Sequence, residues 1–307
     1  MRGPAPATAS ACYRTFPVTS PVTPPALIPT GSVRARVAAV QMTSTEDVGA
    51  NLDAARRLVR RAADAGARFI GLPENFAYLG GDGDHRLALA ESLDARGPIL
   101  SAMADLARST GAHLLLGGFP EKSAEPGRIH NTSVLLDPEG QVVARYRKIH
   151  LFDVDLPGGA RFRESDAVAA GSEPIVADLP FGPVGLTVCY DLRFPELYRQ
   201  LAARGARVLA VPAAFTAETG KDHWHVLLRA RAIENQAFVV GVNRAGDDPH
   251  AHYGGRSLIL SPRGETLAEG SADQQLVTAD IELAPLLEYR QQFPALADMR
   301  AEFFAGE

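Results

Sequence analysis

The stretch Val184-Gly185-Leu186-Thr187-Val188-Cys189-Tyr190-Asp191-Leu192-Arg193-Phe194-Pro195-Glu196 decides how this chain is read. A short apolar, β-branched run ends in a cysteine, and a helix start follows. Strand, sharp turn, nucleophile and helix make the pattern of a nucleophile elbow. An elbow lifts the sulfur to the sheet edge, near the positive end of the next helix, where thiolate is favoured. Taken alone, Cys189 also fits a buried structural cysteine.

Two further segments weigh towards chemistry. In Phe69-Ile70-Gly71-Leu72-Pro73-Glu74-Asn75-Phe76 an apolar strand runs out into a Pro-Glu pair. The proline marks the strand end, so Glu74 sits at the C-terminal edge of the sheet, where α/β proteins place ligands. In Tyr146-Arg147-Lys148-Ile149-His150-Leu151-Phe152 a lysine lies between an apolar strand, Gln141 to Ala144, and a loop containing Pro157, Gly158 and Gly159. Separately, Glu74 reads as a loop carboxylate and Lys148 as a surface cation.

The 307 residues, 46% of them hydrophobic, suffice for one large core. A net charge of −5 gives no electrostatic footprint for nucleic acid or membrane. No apolar stretch is long enough to span a bilayer. Cys12 and Cys189 make no disulfide framework, and a free reactive thiol fits a reducing cytoplasm. Residues 1–33 are dominated by Pro, Ala, Thr and Ser, and the first acidic residue is Glu46. They read as a disordered or over-long extension before a single domain at 34–307. Arg2 and Arg14 in an acidic-poor leader leave a transit peptide as the other reading.

Hydrophobic periodicity predicts strands at Val37–Met42, Phe69–Leu72, His113–Phe119, Ser133–Leu136, Gln141–Arg145, Val184–Val188, Val208–Val211, Phe238–Val242, Ser257–Leu260, Glu265–Ala268 and Val277–Ile281. Helices are expected at Val48–Ala65, Pro98–Ser109, Pro195–Ala203, Trp224–Glu234 and Ala284–Tyr289. Alternating strands and helices predict an α/β layered protein, and the two hairpins make its sheets mixed.

Glu74, Lys148 and Cys189, each at a strand end, carry the motifs Leu-Pro-Glu, Tyr-Arg-Lys-Ile-His-Leu-Phe-Asp and Cys-Tyr-Asp-Leu-Arg-Phe-Pro-Glu. From about Arg36 onwards the chain resembles the nitrilase superfamily of carbon–nitrogen hydrolases. The resemblance implies an αββα sandwich with mixed sheets that pairs sheet-on-sheet with a second subunit, as a homodimer or higher homo-oligomer. It also implies roles. Cys189 attacks an amide and forms a thioester. Glu74 moves the proton from thiol to departing ammonia and then activates water. Lys148 and the backbone N–H of Tyr190 hold the oxyanion. Glu164, in Arg163-Glu164-Ser165, matches the second active-site glutamate of the Nit-like amidases and would orient Lys148.

His223-Trp224 and Ala230-Arg231-Ala232-Ile233-Glu234-Asn235-Gln236 are similar to the Nit-type branch. That branch acts on ω-amides of dicarboxylic acids, such as 2-oxoglutaramate and 2-oxosuccinamate, and on deaminated glutathione. Leu115-Leu116-Gly117-Gly118-Phe119 and Ile149 to Val154 lean towards deaminated glutathione. Gly241-Val242-Asn243-Arg244-Ala245-Gly246 with Tyr253-Gly254-Gly255 leans towards an omega-amidase. No metal or cofactor is expected.

Such substrates carry a distal carboxylate. Arg193, four residues after Cys189, is a candidate clamp, because a guanidinium fork binds a carboxylate bidentately. Pairing with Glu196 or Asp191 is the competing reading. His223 and His225 are two apart and share no helix face, so they make a poor metal pair. His250 and His252 lie in a loop with no cysteine partner. His150 could form a papain-like dyad with Cys189, but Glu74 and Lys148 would then go unexplained. Gly80-Gly81-Asp82-Gly83 reads as a flexible segment at the pocket mouth, since no nucleotide-loop pattern follows. A catalytically silent family member that binds metabolites or partner proteins remains the reading from another class.

Overall fold

The computed structural model describes residues 33–81, 83–155, 161–248 and 251–300. The expected extension (apart from Val33), Cys12, the loop glycines 158 and 159, Asp82 and His250 lie outside them.

In chain order the elements are β1 (Arg34–Gln41), α1 (Val48–Asp64), β2 (Ala67–Gly71), α2 (Gly83–Ala88), α3 (Pro98–Thr110), β3 (His113–Lys122), β4 (Ile129–Leu136), β5 (Val142–Arg147), β6 (Asp153–Asp155), β7 (Arg161–Arg163) and β8 (Ile175–Leu179). They continue with β9 (Gly182–Leu186), α4 (Pro195–Ala203), β10 (Val208–Ala213), α5 (Ala217–Glu234), β11 (Phe238–Asn243), β12 (Ala245–Asp247), β13 (His252–Gly254), β14 (Leu258–Leu260), β15 (Thr266–Glu269), β16 (Gln275–Glu282) and α6 (Leu283–Gln292).

Two six-stranded mixed sheets form, in the orders β16-β1-β2-β3-β4-β5 and β15-β14-β11-β10-β9-β8. Parallel strands occupy the middle of each, β1 to β3 in one and β9 to β11 in the other, with antiparallel strands outside. The sheets face one another through contacts of β1 with β11 and of β3 with β10. One helical layer, α1 and α3, covers the first sheet, and α4 and α5 cover the second. This is the expected αββα sandwich, and both sheets of its central pair belong to the same chain.

Local chemistry fixes the helix ends. Asp47 caps α1 by accepting from Ala50 N at 2.9 Å. Pro98 starts α3, whose first free N–H groups, at Ile99 and Leu100, donate to the buried carboxylate of Glu91 at 2.7 and 2.9 Å. Helix α5 begins seven residues before the predicted Trp224. Its first two turns, Ala-Glu-Thr-Gly-Lys-Asp-His, carry no apolar stripe from which a helix could be read. The short hairpins β6–β7 and β12–β13, the edge strand β8 and helix α2 also went unpredicted. Three-residue strands are too short to show a period.

Candidate active site

The C-terminal ends of β2, β5, β9 and β10 converge on a cavity of about 400 Å³. Glu74, Lys148, Glu164, Cys189, Tyr190 and Arg193 all line it.

Glu74 sits three residues beyond β2, and close packing sets its position. Gly117 and Gly118 lie at a register shift in β3. A Cβ on Gly117 would fall 2.5 Å from the Leu72 carbonyl oxygen, and one on Gly118 2.5 Å from Asn75 N. Gly118 also needs φ 63°. Only a Gly-Gly pair lets the Pro-Glu turn lie this close to β3. Lys148 follows β5 directly, and Glu164 opens a 3₁₀ turn after β7.

Cys189 has φ 46°, a left-handed conformation for a non-glycine residue and the mark of an elbow. Such backbone costs roughly 1–3 kcal/mol and persists where the surroundings over-determine it. Here the surroundings centre on Asp191, which is fully buried. One oxygen accepts from Val188 N at 2.9 Å and from the Tyr146 hydroxyl at 2.7 Å. The other accepts from His150 N at 3.1 Å and lies 2.7 Å from His150 Nδ1. One carboxylate therefore ties the elbow to the loop after Lys148. The backbone after Cys189 is a 3₁₀ turn, Cys189–Arg193, and α4 starts only at Pro195. The sulfur therefore sits on a short 3₁₀ turn, six residues ahead of the expected start of α4.

The ionisable groups form a closed network. Lys148 Nζ donates to Glu74 Oε1 at 3.0 Å and to Glu164 Oε2 at 2.8 Å. Asn131 Nδ2 donates to Glu74 Oε1 and to Glu164 Oε1, each at 2.9 Å. Phe152 N donates to Glu164 Oε2 at 2.7 Å, and Ala214 N to Glu74 Oε2 at 2.9 Å. The Cys189 thiol lines the same cavity as Glu74.

Burial works against charge on Glu74, but Lys148, then Asn131 and the thiol, outweigh it, and the carboxyl is held below its usual range. Burial likewise opposes charge on Lys148, yet Glu164 and Glu74 hold the ammonium above its usual value. Burial and the Glu74 charge push the Cys189 thiol well up, with Lys148 opposing. The resting pair is thus thiol and carboxylate, not the thiolate expected from a helix terminus. Glu74, Glu164 and Lys148 already sum to −1, and a thiolate would make it −2.

Arg193 forms no ion pair with Glu196 or Asp191 among the described residues. Its guanidinium lies 5.8 Å from the Tyr190 ring centroid and 5.1 Å from that of Phe215, and it contacts His223 Nδ1 at 3.2 Å. His150 is committed to Asp191 and stacks on Phe194 at 3.7 Å, which removes the Cys–His dyad. His225 pairs with Glu269 and His252 with Asp247. Gly80 and Gly81 line the cavity, as expected of the pocket mouth.

Sequence reasoning missed Asn131, Asp191 and Tyr146. A signal existed for the first. His130-Asn131-Thr132-Ser133 is a polar run inside β4, whose eight residues are all buried. Buried polar groups need partners, and such a run points to a network.

The family model for carbon-nitrogen hydrolases matches residues 36–291. The chain belongs to this family. This carbon–nitrogen hydrolase is 44% identical over 265 residues to the deaminated glutathione amidase of Synechocystis sp., covering 84% of this chain and 96% of that protein. It is 36% identical over 273 residues to human omega-amidase NIT2, covering 89% and 97%. Among solved structures it resembles the C. elegans NitFhit protein, with TM-score 0.83, 35% identity and coverage of 89% of this chain and 67% of that one. It also resembles a mutant amidase from Nesterenkonia sp. AN1, with TM-score 0.74, 30% identity and coverage of 90% and 97%. There the acetamide moiety of fluoroacetamide is joined to the active-site cysteine.

Proposed function

We propose that the protein hydrolyses the amide of a carboxylate-bearing substrate through a thioester on Cys189, with deaminated glutathione as the preferred substrate class. The observation that carries this reading is Lys148 clasped between Glu74 and Glu164, with Cys189 in the same cavity.

The steps follow from the charges. Glu74 takes the thiol proton as sulfur attacks the carbonyl carbon, and the carbonyl pair moves onto oxygen. Neutralising Glu74 removes one anion from beside Lys148 as the oxyanion forms, so the net charge of the site stays constant while the Lys148–Glu74 hydrogen bond remains. Two ammonium protons are engaged, and the third, with Tyr190 N–H, meets the oxyanion. Glu74 then protonates the leaving amine and activates the water that cleaves the thioester. Glu164 keeps Lys148 charged and aimed. A primary ω-amide expels ammonia, whereas deaminated glutathione expels cysteinylglycine.

The cavity also holds Arg86, Arg161, Arg163 and Arg193. Arg161 and Arg163 share Asp155, which leaves the mouth net positive. That suits a substrate with carboxylates at both ends better than one with a single carboxylate. An omega-amidase acting on 2-oxoglutaramate is the second reading, supported by the similarity to NIT2. Side-by-side kcat/KM values for amine release from deaminated glutathione and from 2-oxoglutaramate decide between them. A Cys189 inert to iodoacetamide would instead support a silent binding protein. A single reactive thiol in the hydrolase domain fits the cytoplasm, and assembly as a homodimer or larger is proposed on family resemblance, to be checked by sedimentation.

A further inference from the structure

Asn131, the third residue of β4, is part of the network and is buried. Its amide nitrogen gives one hydrogen to each glutamate. Its carbonyl oxygen is buried without a partner among the described residues. The opposite orientation would aim that oxygen at two carboxylates, so the neighbours fix which way the amide points. The main chain reinforces the placement, because Lys148 N donates to the Asn131 carbonyl at 2.8 Å.

The two oxygens of Glu74 are consequently unequal. Oε1 accepts from both Asn131 and Lys148, which uses its two lone-pair positions. Oε2 accepts only Ala214 N–H from the backbone, leaving one position. We propose that Asn131 is a positioning residue that directs the shuttled proton to Oε2 of Glu74 and holds Glu164 as its anionic partner. This deepens, and rests on, the thioester reading above.

The proton balance is simple. The Sγ–H bond breaks as the sulfur–carbon bond forms, and the proton settles on Oε2. When the tetrahedral adduct collapses, the C–N bond breaks and the same proton passes from Oε2 to the leaving nitrogen. Throughout, Oε1 keeps its two donors, so the carboxyl does not rotate and the proton stays on Oε2. The charged and titratable groups facing Glu74 are Lys148, Cys189 and Glu164, with Tyr253 across the cavity. None of these can replace the amide, because a neutral donor to both carboxylates is required.

The test compares pH profiles of kcat/KM for Asn131→Asp and Asn131→Ala with the unmodified enzyme, using 2-oxoglutaramate as probe. Asn131→Asp places a third carboxylate against two others beside one ammonium, so one of the three must take up a proton. The acid limb moves up by about one pH unit or more, and kcat/KM near neutrality falls on the order of 10²-fold. Asn131→Ala removes the donor without adding charge, and its acid limb moves in the same direction by less. KM changes little in both. An unchanged acid limb in a folded Asn131→Ala variant would overturn the proposal, as would equal losses in both variants with no movement of the limb. If Asn131→Asp does not fold, the alanine variant decides. If neither folds, the residue belongs to the fold and the proposal fails. An unmodified enzyme that neither turns over nor alkylates at Cys189 would instead remove the thioester reading itself.

Discussion

Tyr146 and Asp191, 45 residues apart, meet through a 2.7 Å hydrogen bond behind the turn that carries Cys189. The strand that delivers Lys148 is thereby joined to the turn that delivers Cys189. Asparagine cannot replace the aspartate here. Either orientation of its amide sets an NH₂ against a backbone N–H, that of Val188 or of His150. Asp191→Asn should cost about 1–3 kcal/mol in unfolding free energy and lower kcat about 10- to 100-fold with little change in KM. Denaturant unfolding and steady-state kinetics check this. Full activity would mean that the elbow holds itself.

Lys148→Ala leaves the buried Glu74 and the partly buried Glu164 without their cation. Unfolding should be easier by about 3–5 kcal/mol, and activity should fall at least about 10²-fold. His150→Asn should keep most activity, since His150 serves Asp191 and not the sulfur. A reversed ranking of the two variants would return the Cys–His dyad.

Arg193 rests between aromatic faces without a carboxylate partner among the described residues. Arg193→Lys should raise KM for ω-amides about 10-fold while changing kcat less. An unchanged KM would remove the clamp.

The pH profile of kcat/KM follows from the resting pair. Glu74 is depressed, so it stays a carboxylate to lower pH than usual, and the acid limb lies below the ordinary carboxylate range. Cys189 is raised, so the thiol–carboxylate form persists above the ordinary thiol range. The two groups share a proton, and both limbs belong to the pair. A broad neutral plateau is expected. A limb centred near neutral pH, as an imidazole would give, contradicts the assignment.

Much of this arrangement was legible because each main functional residue ends a strand with a readable period. Leu72-Pro73-Glu74 and Val188-Cys189 mark strand ends by composition alone. Glu164 was found only through resemblance, since a 3₁₀ turn after a three-residue strand has no periodic signal. Asn131 and Asp191 stayed hidden for another reason. Their importance lies in partners 33 to 57 and 41 to 45 residues away, which only the folded chain brings together. The protonation state of Cys189 was likewise beyond the sequence, because it depends on how completely Glu74 and Lys148 are buried.

The most direct test of the account is acid-quenched mass spectrometry of the enzyme during turnover of 2-oxoglutaramate. The account predicts an acyl adduct on the peptide containing Cys189, appearing before product, with neither adduct nor product in Cys189→Ala. Turnover without an adduct at any time, together with activity surviving in Cys189→Ala, would contradict it.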